Sequence, residues 1–292
     1  MTWEMPLDPA STIERLLSLI TGANAGVALY DVGQGSCQAV VGTSPWRVPS
    51  LYVDFGGRVL GNAKTFPAAY HGFCFSTSPA VILSHWDWDH WSSAYRFPSA
   101  LAMEWIAPEV PPKPIQLAFA ADLYTRGHLH IWNKVGPSEL RTGGVRLERC
   151  TGRTANDSGI AVSVFPNKRS KKSCLLPGDA DYRHIPSVQA GRAFDAICIT
   201  HHGGRLHSAV IPKAKRRRAK CACSVGAGNS YHHHPFLETY EAHSEAGWPM
   251  PLTTGFTGRR PSHVFLPWED NPRVFTGRCL SNGIPKCSVA LP

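Results

Sequence analysis

The chain has 292 residues, 43% of them hydrophobic and 17% charged, which excludes an intrinsically disordered protein and allows one large core. Its formal net charge of +9 favours an anionic partner. No apolar stretch approaches the roughly twenty residues that cross a bilayer, so no membrane association is expected. Nine irregularly spaced cysteines, and no secretory pattern in the opening "MTWEMPLDPASTIERLL", give the expectation of a reducing, cytoplasmic setting.

In chain order, "ASTIERLLSLIT" (10–21) reads as an amphipathic helix with Ser11 or Thr12 as its N-cap. Strand-like runs follow at 27–32, 37–42 and 51–55, separated by glycine-rich turns. "AVILS" (80–84) is a continuous apolar run of the kind buried on both faces. Residues 92–140 read as a mixed, proline-containing region with helices, among them "PIQLAFAADLYTRGH". Strand signals return at 145–150, 159–165, 174–178, 196–200 and 221–226, then a helix at 236–247 that glycine ends. Short strands are expected after 251. No repeat or linker divides the chain, so a single layered α/β domain over 1–292 is expected.

Three of these apolar runs end in residues that ligate metals. "AVILS" runs into "HWDWDHW", "CLLPG" into Asp179, and "AICIT" into His201 and His202. Sites in layered α/β folds gather beyond the carboxyl ends of strands, so three independent strand ends can converge there. Histidine nitrogens and carboxylate oxygens suit zinc, manganese or iron. Four ligand-type side chains within six positions, His85, Asp87, Asp89 and His90, are costly to bury without a cation or another partner. By contrast, His128 and His130 are expected to be ordinary histidines, and Cys221 and Cys223 lack the second pair of a zinc knuckle.

"SHWDWDH" resembles the metal motif of the metallo-β-lactamase superfamily, with Asp87 where that family's second histidine stands. The H-x-D-x-D-H form is similar to that of the nuclease-like domain of ComEC-type competence proteins. "YDVGQGSCQAVV", "LYVDFGG", "NDSGIAVSV", "LLPGDAD", "ITHHGG" and "SVGAGNSYHHHP" resemble further motifs of that group in order, over about residues 27–235. The resemblance implies a four-layer αβ/βα sandwich and a site for two divalent ions, manganese or zinc. It places His85 and Asp87 on one ion, Asp89 and His90 on the other, and Asp179 between them. His201 completes the second set, with His202 as the alternative, and Asn156 or Asp157 supplies the further ligand of the first. Asp31, Gly33 and Asp54 shape turns near the site.

The function that follows is hydrolysis of a nucleic acid or another anionic phosphodiester. Asp89 or Asp179 would orient the attacking water, and His234 would assist the leaving group. Asn229 and Tyr231 of the "SVG" motif would touch substrate. Lys213, Lys215, Arg216, Arg217 and Arg218 of "KAKRRRAK" would form a mobile loop beside the metals that draws in the phosphate backbone. The alternatives are the same fold acting on a cyclic nucleotide or other small ester, a binding module, and a component of a bacterial defence system that depends on a protein partner.

Overall fold

The strands alternate their side chains between two apolar surfaces, and that alternation builds the layers. In the computed structural model, residues 7–20, 22–43, 48–57, 60–70, 72–109, 111, 113–215, 218–255, 261–275, 279–280 and 288–289 are described. The strands are β1 (Asn24–Leu29), β2 (Gln38–Gly42), β3 (Pro49–Val53), β4 (Ala80–Ile82), β5 (Trp105–Ala107), β6 (Leu129–Ile131), β7 (Glu139–Thr142), β8 (Val145–Arg149), β9 (Ile160–Val164), β10 (Cys174–Leu176), β11 (Ala196–Cys198), β12 (Lys220–Cys223), β13 (Leu252–Thr253), β14 (His263–Pro267) and β15 (Arg273–Phe275). One sheet runs β15-β14-β1-β2-β3-β4-β5-β6 and the other β13-β12-β11-β10-β9-β8-β7. The helices are α1 (Ala10–Ile20), α2 (Ser93–Arg96), α3 (Pro114–Thr125), α4 (Pro186–Gln189) and α5 (Leu237–Glu245).

Val27, Leu29, Leu51, Val53 and Ile82 of the first sheet pack against Leu147, Val162, Leu176 and Cys198 of the second. Their sequence neighbours Ala28, Tyr52 and Val81 turn outward, onto a core that includes Trp86, Trp91 and Phe119. On the outer face of the second sheet, Leu175, Ile197 and Cys221 pack with Tyr182, Val188 and Trp248. The order is helix, sheet, sheet, helix: the α/β four-layer sandwich that the sequence motifs imply. No helix among the described residues is long and apolar enough to cross a membrane.

Residues 92–140 depart from the reading given by sequence. They hold β5 and β6, two buried parallel strands beside β4, besides α2 and α3. Three-residue runs such as "WIA" are too short to show a period. The first helix starts at Ala10, one residue before the expected cap, and the N–H of Thr12 donates to Pro9 O.

The end of β3 is packed directly onto the motif after β4. Phe55 N–H donates to His90 O (2.7 Å), and Ser36 N–H, from the loop between β1 and β2, donates to Asp89 O (2.9 Å). Between them Gly56 sits so close that a Cβ there would lie 1.5 Å from Asp89 O. Gly56→Ala is therefore expected to push the two backbones apart and to destabilise the fold by about 3 kcal/mol. A denaturant midpoint equal to that of the wild type would count against this contact.

Candidate metal centre

The buried carboxylate Asp54, at the end of β3, organises the site before any ligand does. Its Oδ1 accepts from Ser84 N–H (2.7 Å), and its Oδ2 from Ser84 Oγ (2.9 Å) and His90 Nδ1 (2.8 Å). Ser84 Oγ, having given its proton to Asp54, accepts from His85 Nδ1 (3.1 Å). On the second sheet, His202 Nδ1 donates to Ser224 O (2.9 Å). Each of the three imidazoles thus carries a proton on Nδ1 and, in its neutral form, presents Nε2 to a cation. Those three Nε2 atoms are buried and have no hydrogen-bond partner.

All three aim at Asp179, which follows β10. Its Oδ1 lies 3.2 Å from His90 Nε2 and 3.7 Å from His202 Nε2, and Asp89 Oδ2 lies 3.3 Å from His202 Nε2. Asp89, His90, Asp179 and His202 each offer one atom to a cluster able to hold a metal ion. Around Asp179 Oδ2 stand His85 Nε2 at 3.8 Å and His201 Nε2 at 3.7 Å, and Asp87 Oδ2 lies 3.6 Å from His85 Nε2. Orphaned imidazole nitrogens facing carboxylates are a donor set that suits a divalent cation. Asp89, His90, Asp179 and His202 fit such a cation.

Of the two histidines offered by the sequence, His202, the alternative, joins Asp89 and His90, while His201 lies on the His85 side. Consecutive histidines separate in this way because both take left-handed backbone angles, φ 50° at His201 and φ 53° at His202. Asp157 lines the same cavity as Asp179 and His201. Its Oδ1 accepts from Asp181 N–H (2.8 Å) and its Oδ2 from Thr154 Oγ1 (2.7 Å), so it forms cavity wall.

Electrostatics keep the cluster charged. Burial acts to raise Asp179, but His90, His201 and His202 outweigh it and hold the carboxyl well below the usual range. Burial likewise opposes ionisation of Asp89, and His202 and His90 hold it low. His85 lowers Asp87. His90 and His202 are raised despite burial, by Asp179 with Asp54 and with Asp89 respectively. Binding a cation must then displace protons from these two rings.

A cavity of about 270 Å³ opens on the Asp179 side, lined by Thr154, Asp157, Thr200, His201, Arg205 and His207 among others. His234 stands beside His201, with ring centroids 5.2 Å apart. Burial, then His202 and His201, push its pKa down to about 4, so it is neutral at pH 7. Arg205 lies over the Phe236 ring, 4.8 Å from its centroid. Asn229 shapes its own loop, accepting from Tyr231 and His232 N–H and donating to Gln34 Oε1 (2.7 Å). Tyr231 is 68% exposed. The loop of Lys213, Lys215 and Arg218 does not lie beside the metals but at the opposite end of β11 and β12, and Arg216 and Arg217 lie outside the described residues. His128 and His130 stand apart from the cluster, paired with Glu104 (3.0 and 2.7 Å).

Sequence reasoning missed a buried chain that holds the histidine turn. Thr200 N–H donates to Tyr182 Oη (3.1 Å), Tyr182 donates to His243 Nε2 (2.9 Å), and His243 Nδ1 donates to Thr239 O (2.6 Å). Thr239 Oγ1 in turn donates to Gly204 O (2.8 Å). Helix α5 is thus tied to both sides of His201 and His202. The sequence signal was His243 in an otherwise solvated helix.

No family model matches the chain, and no curated protein matches it. Among solved structures it is similar to the isothiocyanate hydrolase from Delia radicum gut bacteria, at 14% identity, over 85% of this chain and 99% of that one, with a TM-score of 0.40. It is similar also to zinc-bound PqqB from Methylobacterium extorquens, at 7% identity, over 78% and 97%, with a TM-score of 0.41. The metallo-beta-lactamase fold protein YhfI from Bacillus subtilis shares 14% identity over 60% and 70%, with a TM-score of 0.36. These are likenesses of shape.

Two expectations follow for metal binding. Because His90 and His202 are raised and must lose protons, affinity for zinc or manganese should go on rising with pH above the ordinary histidine range in competition titrations; a flat profile would contradict the proton displacement. Tyr182→Phe, which leaves Thr200 N–H and His243 Nε2 unpaired, should weaken metal binding about tenfold and shift the visible spectrum of the cobalt-substituted protein. An unchanged affinity and spectrum would assign Tyr182 to packing alone.

Proposed function

We propose that the protein is a metal-dependent phosphodiesterase whose residues would hold two divalent ions, with Asp179 serving both. The observation that carries this reading is the division of ligands around that carboxylate, with His90 and His202 at Oδ1 and His85 and His201 at Oδ2. His85, Asp87 and His201 would hold one ion and Asp89, His90 and His202 the other, with Asp179 shared. Divalent ions there would supply Lewis acidity to a phosphoryl oxygen and acidify a water. Three carboxylates in the set favour manganese; zinc suits its histidines.

The chain's own residues do the rest. Asp89 and Asp179, ionised at neutral pH, accept a hydrogen bond from the attacking water and orient it. Arg205 is exposed at the cavity and reaches an anionic oxygen with its planar fork of donors. His234, neutral beside His201, hydrogen-bonds the leaving oxygen rather than delivering a full proton to it. The ComEC-like motifs and the +9 charge support a nucleic-acid substrate. The modest cavity, about 270 Å³, favours a second reading in which a cyclic nucleotide or other small ester is cleaved.

The test is a panel of single-stranded DNA, duplex DNA, RNA, a cyclic dinucleotide and a chromogenic phosphodiester, with manganese or zinc. Asp179→Asn should lower kcat for the chromogenic ester about a thousandfold, and Arg205→Ala should raise KM about tenfold with little change in kcat. Equal turnover by the wild type and Asp179→Asn would end the two-ion reading. Cleavage of the cyclic dinucleotide without any polymer would move the second reading ahead.

A further inference from the structure

Two basic runs far apart in the sequence meet at one end of the second sheet. Residues 167–172 join β9 to β10, and 213–219 lead into β12. Phe194 N–H donates to Lys213 O (3.0 Å), and Lys215 N–H donates to Phe194 O (2.8 Å), which lays the second run beside the start of β11. Lys215 Nζ donates to Lys171 O and lies 3.3 Å from Asp195, so the runs touch. β10, β11 and β12 are parallel, and their other ends lead to Asp179, His201 and Ser224. At about 3.3 Å per residue, roughly 15–20 Å of sheet separates this face from the metal centre.

We propose that this face docks the phosphate backbone of a nucleic acid at a place distinct from the metal centre. Lys168, Arg169, Lys171, Lys172, Lys213, Lys215, Arg218 and Lys220 stand here, and the acids lining the same cleft are Asp195, Glu269 and Asp270. Lys172 is paired with Glu269 (2.7 Å), while Lys168, Arg169, Lys171 and Lys213 are exposed. The cations crowd one another: burial, then Lys172, lower the pKa of Lys220. An anionic chain that lays its phosphates on this surface, and releases its own counterions to solution, relieves that repulsion.

The chemistry of the face selects among anionic partners. The large hydrophobic side chains exposed among the described residues include none in 167–172 or 213–220. A membrane-binding surface adds apolar side chains that insert between lipids, and a protein interface adds an aromatic or apolar centre. A surface in which cations outnumber acids and no large hydrophobic side chain of either run is exposed fits a polyphosphate backbone. The inference does not rest on the catalytic reading, since docking is measured with no metal added.

The experiment is fluorescence anisotropy of a labelled thirty-nucleotide single strand and its duplex, across a salt series, with chelator present. The wild type should bind both. The triple variant Lys168→Ala, Arg169→Ala, Lys213→Ala should bind at least tenfold more weakly at 100 mM salt. Its log-affinity slope against log salt should be shallower by about 0.7 for each single-strand phosphate that no longer meets a cation. A control that removes three cations elsewhere, Arg15→Ala, Arg126→Ala, Lys134→Ala, should stay within twofold of the wild type. Equal weakening in the control would reduce the effect to net charge and overturn the proposal. So would absence of binding by the wild type, or tighter binding to phosphatidylserine-containing vesicles than to either nucleic acid.

Discussion

The site depends on one buried carboxylate that touches no substrate. Asp54 is fully buried, and such a group is tolerated only when its lone pairs are satisfied. Ser84 and His90 satisfy them, and in doing so they fix which nitrogen of His90, and through Ser84 of His85, carries the proton. Without that assignment the rings could offer either nitrogen to the centre. The same contact joins the end of β3 to the end of β4, so sheet register and ligand tautomer are one constraint.

The second sheet answers with a strained turn. Two successive residues in the left-handed region cost on the order of 1–2 kcal/mol each, and here both are histidines. The cost is offset by hydrogen bonds from Thr200 to Tyr182 and Ala180, and by the clasp of α5 on Gly204. The outcome is that neighbours in sequence serve opposite oxygens of one carboxylate. The protein alone already holds the cluster as alternating positive and negative groups, the arrangement on which a cation can replace protons with little movement.

Much of the site was legible in the sequence because apolar runs report strand ends and ligands follow them directly. His85, Asp179 and the histidine pair were located by that signal. The division of labour between His201 and His202 was not legible, since it lies in backbone angles that no residue preference announces for histidine. The hydrogen bond that ties Asp157 to Asp181 was not legible either, since it joins separate segments of the chain. The basic loop misled for a reason that was available in principle. Strands β11 and β12 both present their carboxyl ends to the site, so they are parallel, and the segment between them must return to the far end. In the first sheet, β5 and β6 were too short to show any period, although they complete the sheet beyond β4 as its last two strands.

The interleaved tryptophans of "HWDWDHW" have a consequence of their own. Trp86 and Trp91 are buried, with indole N–H groups donating to Pro108 O (2.9 Å) and Trp86 O (3.0 Å). Trp91 stacks on Phe119, with centroids 4.2 Å apart, and Trp88 packs edge-on against Trp91 at 4.6 Å. The backbone that carries Asp87, Asp89 and His90 is therefore moulded against rigid aromatic rings, and any shift of the ligands as charge enters the centre is felt by those rings. Fluorophores are thus built into the motif itself, so an ion entering the centre would be reported by their emission, without a label and without turnover.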